Sequence, residues 1–297
     1  MKSFLISLLA VVVLAGGIVS GIYLSGVVEP YLAEFSFPFG NSAVKSADTQ
    51  TEPSSSDADN LPSEPVESPT VSPTQEPTEP PTEAPTIPSS YMIEGVEVHP
   101  QVEFKAGCET YACTMLLESL GFDITERMFM ENYLEIRYPS YGDDGKMYAP
   151  SMYSSQVGDI YGGWGVYCTA MAKYMNNFLK DAGSDMKATA LENVPLPELC
   201  ERYISKGIPL MVWGTVEMLD PYPRFTWTVD YVEEEDPHYK IGDTFTWLQH
   251  EHCLVLIGYD EENYYFADSC AGKVSVFERE VSEDRYEKIG MQAIVVM

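Results

Sequence analysis

Apolar and polar positions change rhythm twice along the chain, dividing it into three stretches. The first contains Phe4–Val28 (FLISLLAVVVLAGGIVSGIYLSGVV), an uninterrupted run of 25 uncharged residues. As a helix rising ~1.5 Å per residue it is about 37 Å long, enough to cross a ~30 Å hydrocarbon core with some tilt. Lys2 precedes the run and Glu29 and Glu34 follow it. The positive-inside rule therefore predicts a single-pass signal anchor within residues 1–40, with everything after it outside the cytoplasm. The alternative is a cleaved signal peptide, whose apolar region is about 7–15 residues long; the remainder is then secreted. Residues 41–90 have no apolar period. They hold ten Pro, ten Ser, seven Thr, nine acidic residues and one Lys, a composition that cannot form a core and predicts a disordered stalk. Fully extended, it reaches on the order of 150 Å at most.

Ordinary globular patterning begins at residue 91 and runs to 297. Cys108–Leu120 (CETYACTMLLESL) sets Cys108, Ala112, Met115 and Leu116 on one helical face between Gly107 and Gly121. Asp123 and Glu126 make a capping-box spacing that predicts a second helix beginning at Asp123. Val166–Asp181 and Leu196–Ser205 read as further helices, closed by Gly183 and Gly207. The period then falls to two. Ile208–Trp213, Phe225–Val229, Thr244–Leu248, His252–Tyr259, Tyr264–Ala267, Val274–Phe277 and Gln292–Val296 read as strands rich in Val, Ile and aromatic residues. Helices followed by a run of strands predict an α+β fold, with a helix carrying Cys108 packed on an antiparallel sheet carrying His252.

Charge narrows the partners. The chain carries 46 acidic against 17 basic residues, a net charge of -29. Nucleic-acid binding and basic docking to anionic lipid both draw on Lys and Arg clusters, so both are excluded. Segments 1–40, 41–90 and 91–297 hold -1, -8 and -20 of that charge. The acidity thus belongs mainly to the folded part, and it predicts faster encounter with cationic or neutral peptides than with acidic ones. Glu233, Glu234, Glu235 and Asp236 form an acidic run that reads as a solvated loop.

All six cysteines and all four histidines lie beyond residue 90. Three disulfides would be an ordinary use of six cysteines in an exported domain. Cys108, however, follows Gly107 at the start of a predicted helix, where the macrodipole and free N–H groups lower a thiol pKa. Cys113, Cys168, Cys200 and Cys253 fall in apolar patterns and read as small core residues; Cys270 receives no assignment. A thiolate nucleophile needs an imidazole partner. His252 opens the most apolar strand (HCLVLIGYD), and His250 has the same parity and is placed along the same face. A His-x-His metal pair finds no further ligand at metal spacing, so neither metal nor cofactor is expected. His99 and His238 lie in polar sequence and read as solvated. Asp268 ends the next strand (NYYFAD) and is nearly symmetric with His252 about the Asp260–Asn263 turn, which makes the two candidate cross-strand neighbours. Gln101, seven residues before Cys108, offers an amide for an oxyanion hole.

The segments Gln101…Gly107-Cys108-Glu109, Lys206–Trp213, His252–Asp260 and Tyr264–Asp268, in this order, resemble the papain-like cysteine peptidases of family thirty-nine, in their freestanding extracytoplasmic branch. The resemblance implies a papain-like fold with Cys108 as nucleophile, His252 as general base and acid, Asp268 orienting it and Gln101 in the oxyanion hole. The chain departs from the family in two places. Ser269 follows the Asp where the family usually has Pro, and the Gln-to-Cys spacing is one residue longer than in the leader-processing members. A membrane-anchored extracytoplasmic cysteine peptidase acting on peptides or proteins is thus expected, with Trp213, Trp227 and Trp247 as candidate cleft walls. A cell-wall stem-peptide amidase using the same thiol chemistry and a non-catalytic surface binding module are the alternatives.

Overall fold

The computed structural model describes residues 87–297 except Glu235, all within one compact unit of the chain. The predicted anchor, and the predicted stalk up to residue 86, lie outside the described residues. Among the described residues no helix is long and apolar enough to cross a membrane. The strands are β1 (Tyr91–Met92), β2 (Ile136–Arg137), β3 (Ser140–Tyr141), β4 (Met147–Pro150), β5 (Gln156–Val157), β6 (Ala188–Glu192), β7 (Leu210–Thr215), β8 (Tyr222–Tyr231), β9 (Thr244–Gln249), β10 (Glu251–Tyr259), β11 (Asn263–Asp268), β12 (Lys273–Glu278) and β13 (Gln292–Val296). The α-helices are α1 (Cys108–Ser119), α2 (Glu126–Asn132), α3 (Cys168–Asp181), α4 (Leu196–Arg202) and α5 (Arg279–Lys288).

The main sheet runs β12-β11-β10-β7-β13-β6, antiparallel throughout, with β1 adding a short pairing to β10. β10 is its centre, and all nine of its residues are buried. A strand covered on both faces reads as continuous apolar sequence, which explains HCLVLIGY. Alternation then distributes its residues. Cys253, Val255 and Ile257 join a core with α1 and α3, together with Met211, Trp213 and Ile294. Leu254 and Leu256 join a second core on the opposite face with Leu196, Leu199, Tyr286 and Phe266. Each buried aliphatic side chain here contributes roughly 1.5–3 kcal/mol of transfer free energy. The sheet is therefore sandwiched, with α1 and α3 on one face and α4 and α5 on the other.

Helix α1 is buried along almost its whole length, from Glu109 to Leu117, and packs on β10. Its N-cap, Gly107, makes no side-chain cap, and a Cβ there would lie 3.0 Å from the Cβ of Phe104. The close turn before Cys108 therefore favours glycine, since a side chain there would press Phe104 back by a few tenths of an ångström.

Several expectations are corrected. Helix α2 begins at Glu126, not at Asp123, because Thr125 is the N-cap and its hydroxyl accepts from the Met128 N–H at 3.2 Å. Helix α4 stops at Arg202, and a separate 3-10 turn, Ile204–Lys206, completes the connection to Gly207. Residues 225–229 and 244–248 do not belong to the main sheet. They form part of a second sheet, β3-β4-β8-β9, in which β4 and β8 run parallel. Helix α5 has no counterpart among the predicted elements. Only Ser282 and Tyr286 of its ten residues are buried, so its apolar stripe is one side chain wide. Trp213, Trp227 and Trp247 are buried core residues, each donating its indole N–H to a carbonyl (Val166, Pro150 and Trp164) instead of walling a cleft.

Candidate active site

Three elements bring the chemical groups together: the start of α1, the start of β10 and the turn after β11. β10 and β11 pair with Val255 opposite Ala267 and Leu256 opposite Phe266, with a bulge between Leu256 and Gly258. Continuing that register places Asp268 opposite Leu254, so His252 is its diagonal neighbour on the same face. The imidazole reaches across: His252 Nε2 lies 3.0 Å from Asp268 Oδ1, and both side chains are buried. The other Asp268 oxygen accepts from Ser275 Oγ at 2.8 Å, and Oδ1 also accepts from the Ala271 N–H at 3.1 Å. Burial alone would raise the Asp268 pKa. The His252 hydrogen bond and charge, helped by Ser275 and Ala271, outweigh it and leave the carboxyl below its usual range. An ionised Asp268 fixes the proton of His252 on Nε2 and leaves Nδ1 for a thiol.

The thiol that Nδ1 meets is Cys270, at 3.7 Å. Burial opposes a charged imidazole, but the Cys270 sulfur and Asp268 outweigh it and hold His252 well above the usual histidine range. Gln101 ties this corner to the loop before α1. Its N–H donates to the Ser269 carbonyl at 2.8 Å. Its Oε1 accepts from Ser269 Oγ at 3.0 Å and from Cys270 Sγ at 3.3 Å. Its Nε2 donates to the Phe104 carbonyl at 2.8 Å, which leaves one amide hydrogen for another acceptor.

Cys108 is half-buried at the start of α1, and its thiol donates to Glu109 Oε2 at 3.1 Å. One donor atom each from Cys108, Glu109 and Glu251 lie within 4.8 Å of one another. Glu251 shares the parity of Cys253, Val255 and Ile257, the β10 face that meets α1, whereas His252 alternates away from it. Glu109 is buried, its Oε1 accepting from the Val166 N–H at 2.9 Å, and burial raises its pKa. Burial, reinforced by Glu109, raises Glu251 well above the carboxylate range. The depressed thiol pKa expected at a helix N-terminus is reversed. Burial first, then Glu109 and Glu251, push Cys108 well above the ordinary thiol value, because the cost of charging a sulfur removed from water outweighs a partial helix charge.

The structure thus joins Gln101, His252 and Asp268 in one network, with Cys108 in an adjoining group of carboxylates. Among the described residues, the hydrogen bonds of the His252 ring go to Asp268 and Cys270. His250 takes a left-handed backbone (φ 77°), is half-buried and points its Nδ1 at the Asp220 carbonyl, so it does not share the face of His252. His99 lies between Glu118 and Glu126, and His238 stacks on Tyr153 beside Glu192, so neither is simply solvated. All six cysteines are free thiols. Sequence reading missed Glu109, Glu251 and Cys270. For Glu251 the signal was present: a charged residue continuing the Cys253, Val255, Ile257 parity of the most apolar strand.

A helix with a thiol at its start, packed on an antiparallel sheet that carries a buried His–Asp pair, defines a cysteine-peptidase-like fold. Residues 93–294 match the model of the Peptidase_C39 like family, and the chain belongs to that family. It is similar to the uncharacterized protein YvpB of Bacillus subtilis (strain 168), 24% identical over 192 residues that cover 64% of this chain and 68% of that protein. It is also similar to a crystal structure from Bacillus anthracis assigned as a C39-like peptidase. That match has a TM-score of 0.57 and 22% identity, and covers 70% of this chain and 97% of the other.

Proposed function

We propose that this chain is a membrane-anchored, extracytoplasmic cysteine peptidase that hydrolyses peptide bonds. The observation that carries the proposal is the buried His252–Asp268 pair at 3.0 Å, in a chain of this family, with a free thiol, Cys108, at the start of the helix packed on the same strand. Cys108 is the nucleophile. His252 takes its proton through Nδ1 and returns it to the leaving amine, while Asp268 holds the ring. The free amide hydrogen of Gln101 and the N–H groups at the start of α1 stabilise the oxyanion. In the described arrangement the Cys108 thiol rests on Glu109 and Nδ1 rests on Cys270. Catalysis in this scheme begins when substrate displaces both contacts. The 25-residue uncharged run at 4–28 supplies the anchor.

A second assignment of the nucleophile is favoured by one contact, the 3.7 Å approach of Cys270 to Nδ1. Single Cys108→Ala and Cys270→Ala chains separate the two when hydrolysis of a peptide library and alkylation by iodoacetamide are followed by mass mapping. Loss of hydrolysis in Cys108→Ala alone supports Cys108, and loss in Cys270→Ala alone supports Cys270. Full activity in both variants removes the thiol mechanism altogether. Protease shaving of intact cells tests the topology: a domain that survives shaving but is digested after lysis contradicts it.

A further inference from the structure

Cys108, Glu109 and Glu251 present an arrangement that peptide hydrolysis does not use. We propose that these three residues form a binding site for a divalent cation of zinc(II) type, and that its occupation withdraws Cys108 from nucleophilic chemistry. The withdrawal rests on Cys108 being the nucleophile; the site itself does not.

Geometry supplies the first argument. One sulfur and two carboxylate oxygens converge within 4.8 Å of one another. Around a tetrahedral zinc, with Zn–S of ~2.3 Å and Zn–O of about 2.0–2.2 Å, donor atoms stand roughly 3.3–3.7 Å apart. A contraction of at most about 1.5 Å therefore forms three protein bonds and leaves a fourth position for water.

The second argument is an acceptor with nothing to accept. Glu251 Oε1 is buried and has no hydrogen-bond partner. A buried carboxylate oxygen left unpaired is destabilising, and a cation beside Cys108 would satisfy it. The other convergent group, His252, Asp268 and Cys270, is already partnered: Ser275 and the Ala271 N–H donate to the Asp268 oxygens, and the Cys270 thiol donates to Gln101 Oε1. The third argument is orientation. The Val166 N–H holds Glu109 Oε1 at 2.9 Å, the outer-shell contact that fixes a ligating carboxylate. The thiolate selects a borderline-soft ion over calcium or magnesium, which require six or more oxygen donors. Binding moves protons and no electrons: the metal exchanges waters for sulfur and two oxygens, and the protons of the thiol and of the carboxyl pair pass to solvent.

The test uses the full-length chain in detergent, stripped with chelator. Zinc(II) is titrated against a chromophoric chelator, and cobalt(II) is added separately as a spectroscopic probe. One equivalent of zinc with a Kd below about 1 μM and a thiolate-to-cobalt charge-transfer band are expected. Glu251→Gln should weaken zinc binding at least tenfold, Cys108→Ser should abolish the band, and Cys270→Ala should keep it. If Glu251→Gln fails to fold by circular dichroism, Glu109→Gln takes its place with the same expectation. Absence of stoichiometric zinc in the wild-type chain, or a band kept in Cys108→Ser and lost in Cys270→Ala, overturns the site. Hydrolysis that depends on Cys108 without zinc binding removes this inference and leaves the proposed function standing. Zinc binding alongside hydrolysis that is intact in Cys108→Ala does the reverse.

Discussion

Gly165 shows how tightly the candidate site is set at the scale of single residues. Its φ of 101° lies in the region that favours glycine, and a Cβ there would collide with the Glu109 carboxylate. Gly165→Ala should therefore destabilise the fold by about 1–3 kcal/mol from backbone strain alone. It should also push Glu109 off both Val166 and Cys108. A denaturation midpoint unchanged from wild type would show that the loop yields without loss. The same scale marks the limit of sequence reading. Cys108, His252, Asp268 and Gln101 were legible because each stands at an element end or in a loop, with an evident chemical type. Their partners were not, since one residue of strand parity decides whether Glu251 or His252 faces α1. A bulge at position 257, invisible in composition, sets which residue lies opposite Asp268.

Elements were legible where burial is one-sided or continuous. β7, β10 and β13 declared themselves by unbroken apolar sequence, and α3 by its apolar face. β8 and β9 are legible as strands too, but nothing in their pattern assigns them to a second sheet, and α5 is not legible because it buries only two side chains. The β10–β11 hairpin offers a pH prediction. Asp260 accepts from Tyr265 Oη at 2.6 Å and from the N–H groups of Glu262 and Asn263 at 2.8 and 2.6 Å. The Tyr265 hydrogen bond first, then the backbone donors, lower its pKa to about 2. A carboxyl whose folded pKa is depressed contributes stability above its unfolded value, about 3.9, and loses it as pH falls through the folded value. Urea midpoints of wild type and Asp260→Asn should therefore differ above pH ~4 and converge towards pH ~2. A gap that stays constant across that window would show that the turn does not depend on this charge.

At the scale of the whole molecule, residues 91–297 carry -20 of the charge, and two of those acids, Glu109 and Glu251, lie beside Cys108. A surface of this sign raises the local concentration of cations and lowers that of anions. Matched cationic and acidic peptides should differ in kcat/KM at low salt, the cationic one being faster, with the gap closing as ionic strength shortens the Debye length. Equal rates at low salt would remove the steering.

The chain enters the described domain through a clip on its central strand. Tyr259 Oη donates to the Pro88 carbonyl at 2.9 Å, Tyr91 and Met92 pair with Tyr259 and Gly258, and the Ile93 N–H bonds to Ile257. For a tethered molecule this is a mechanical element. Force applied through residues before 87 arrives first at a two-residue pairing and would open it bond by bond before the nine-residue strand behind it bears load. In the proposed membrane-anchored protein the clip would act as a fuse, keeping force from the end of β10 that carries His252, about 25 Å away at ~3.3 Å per residue. Pulling through the N-terminus in optical tweezers should show a small early extension ahead of cooperative unfolding, and a single step from the first loading would mean that the site end shares the strain.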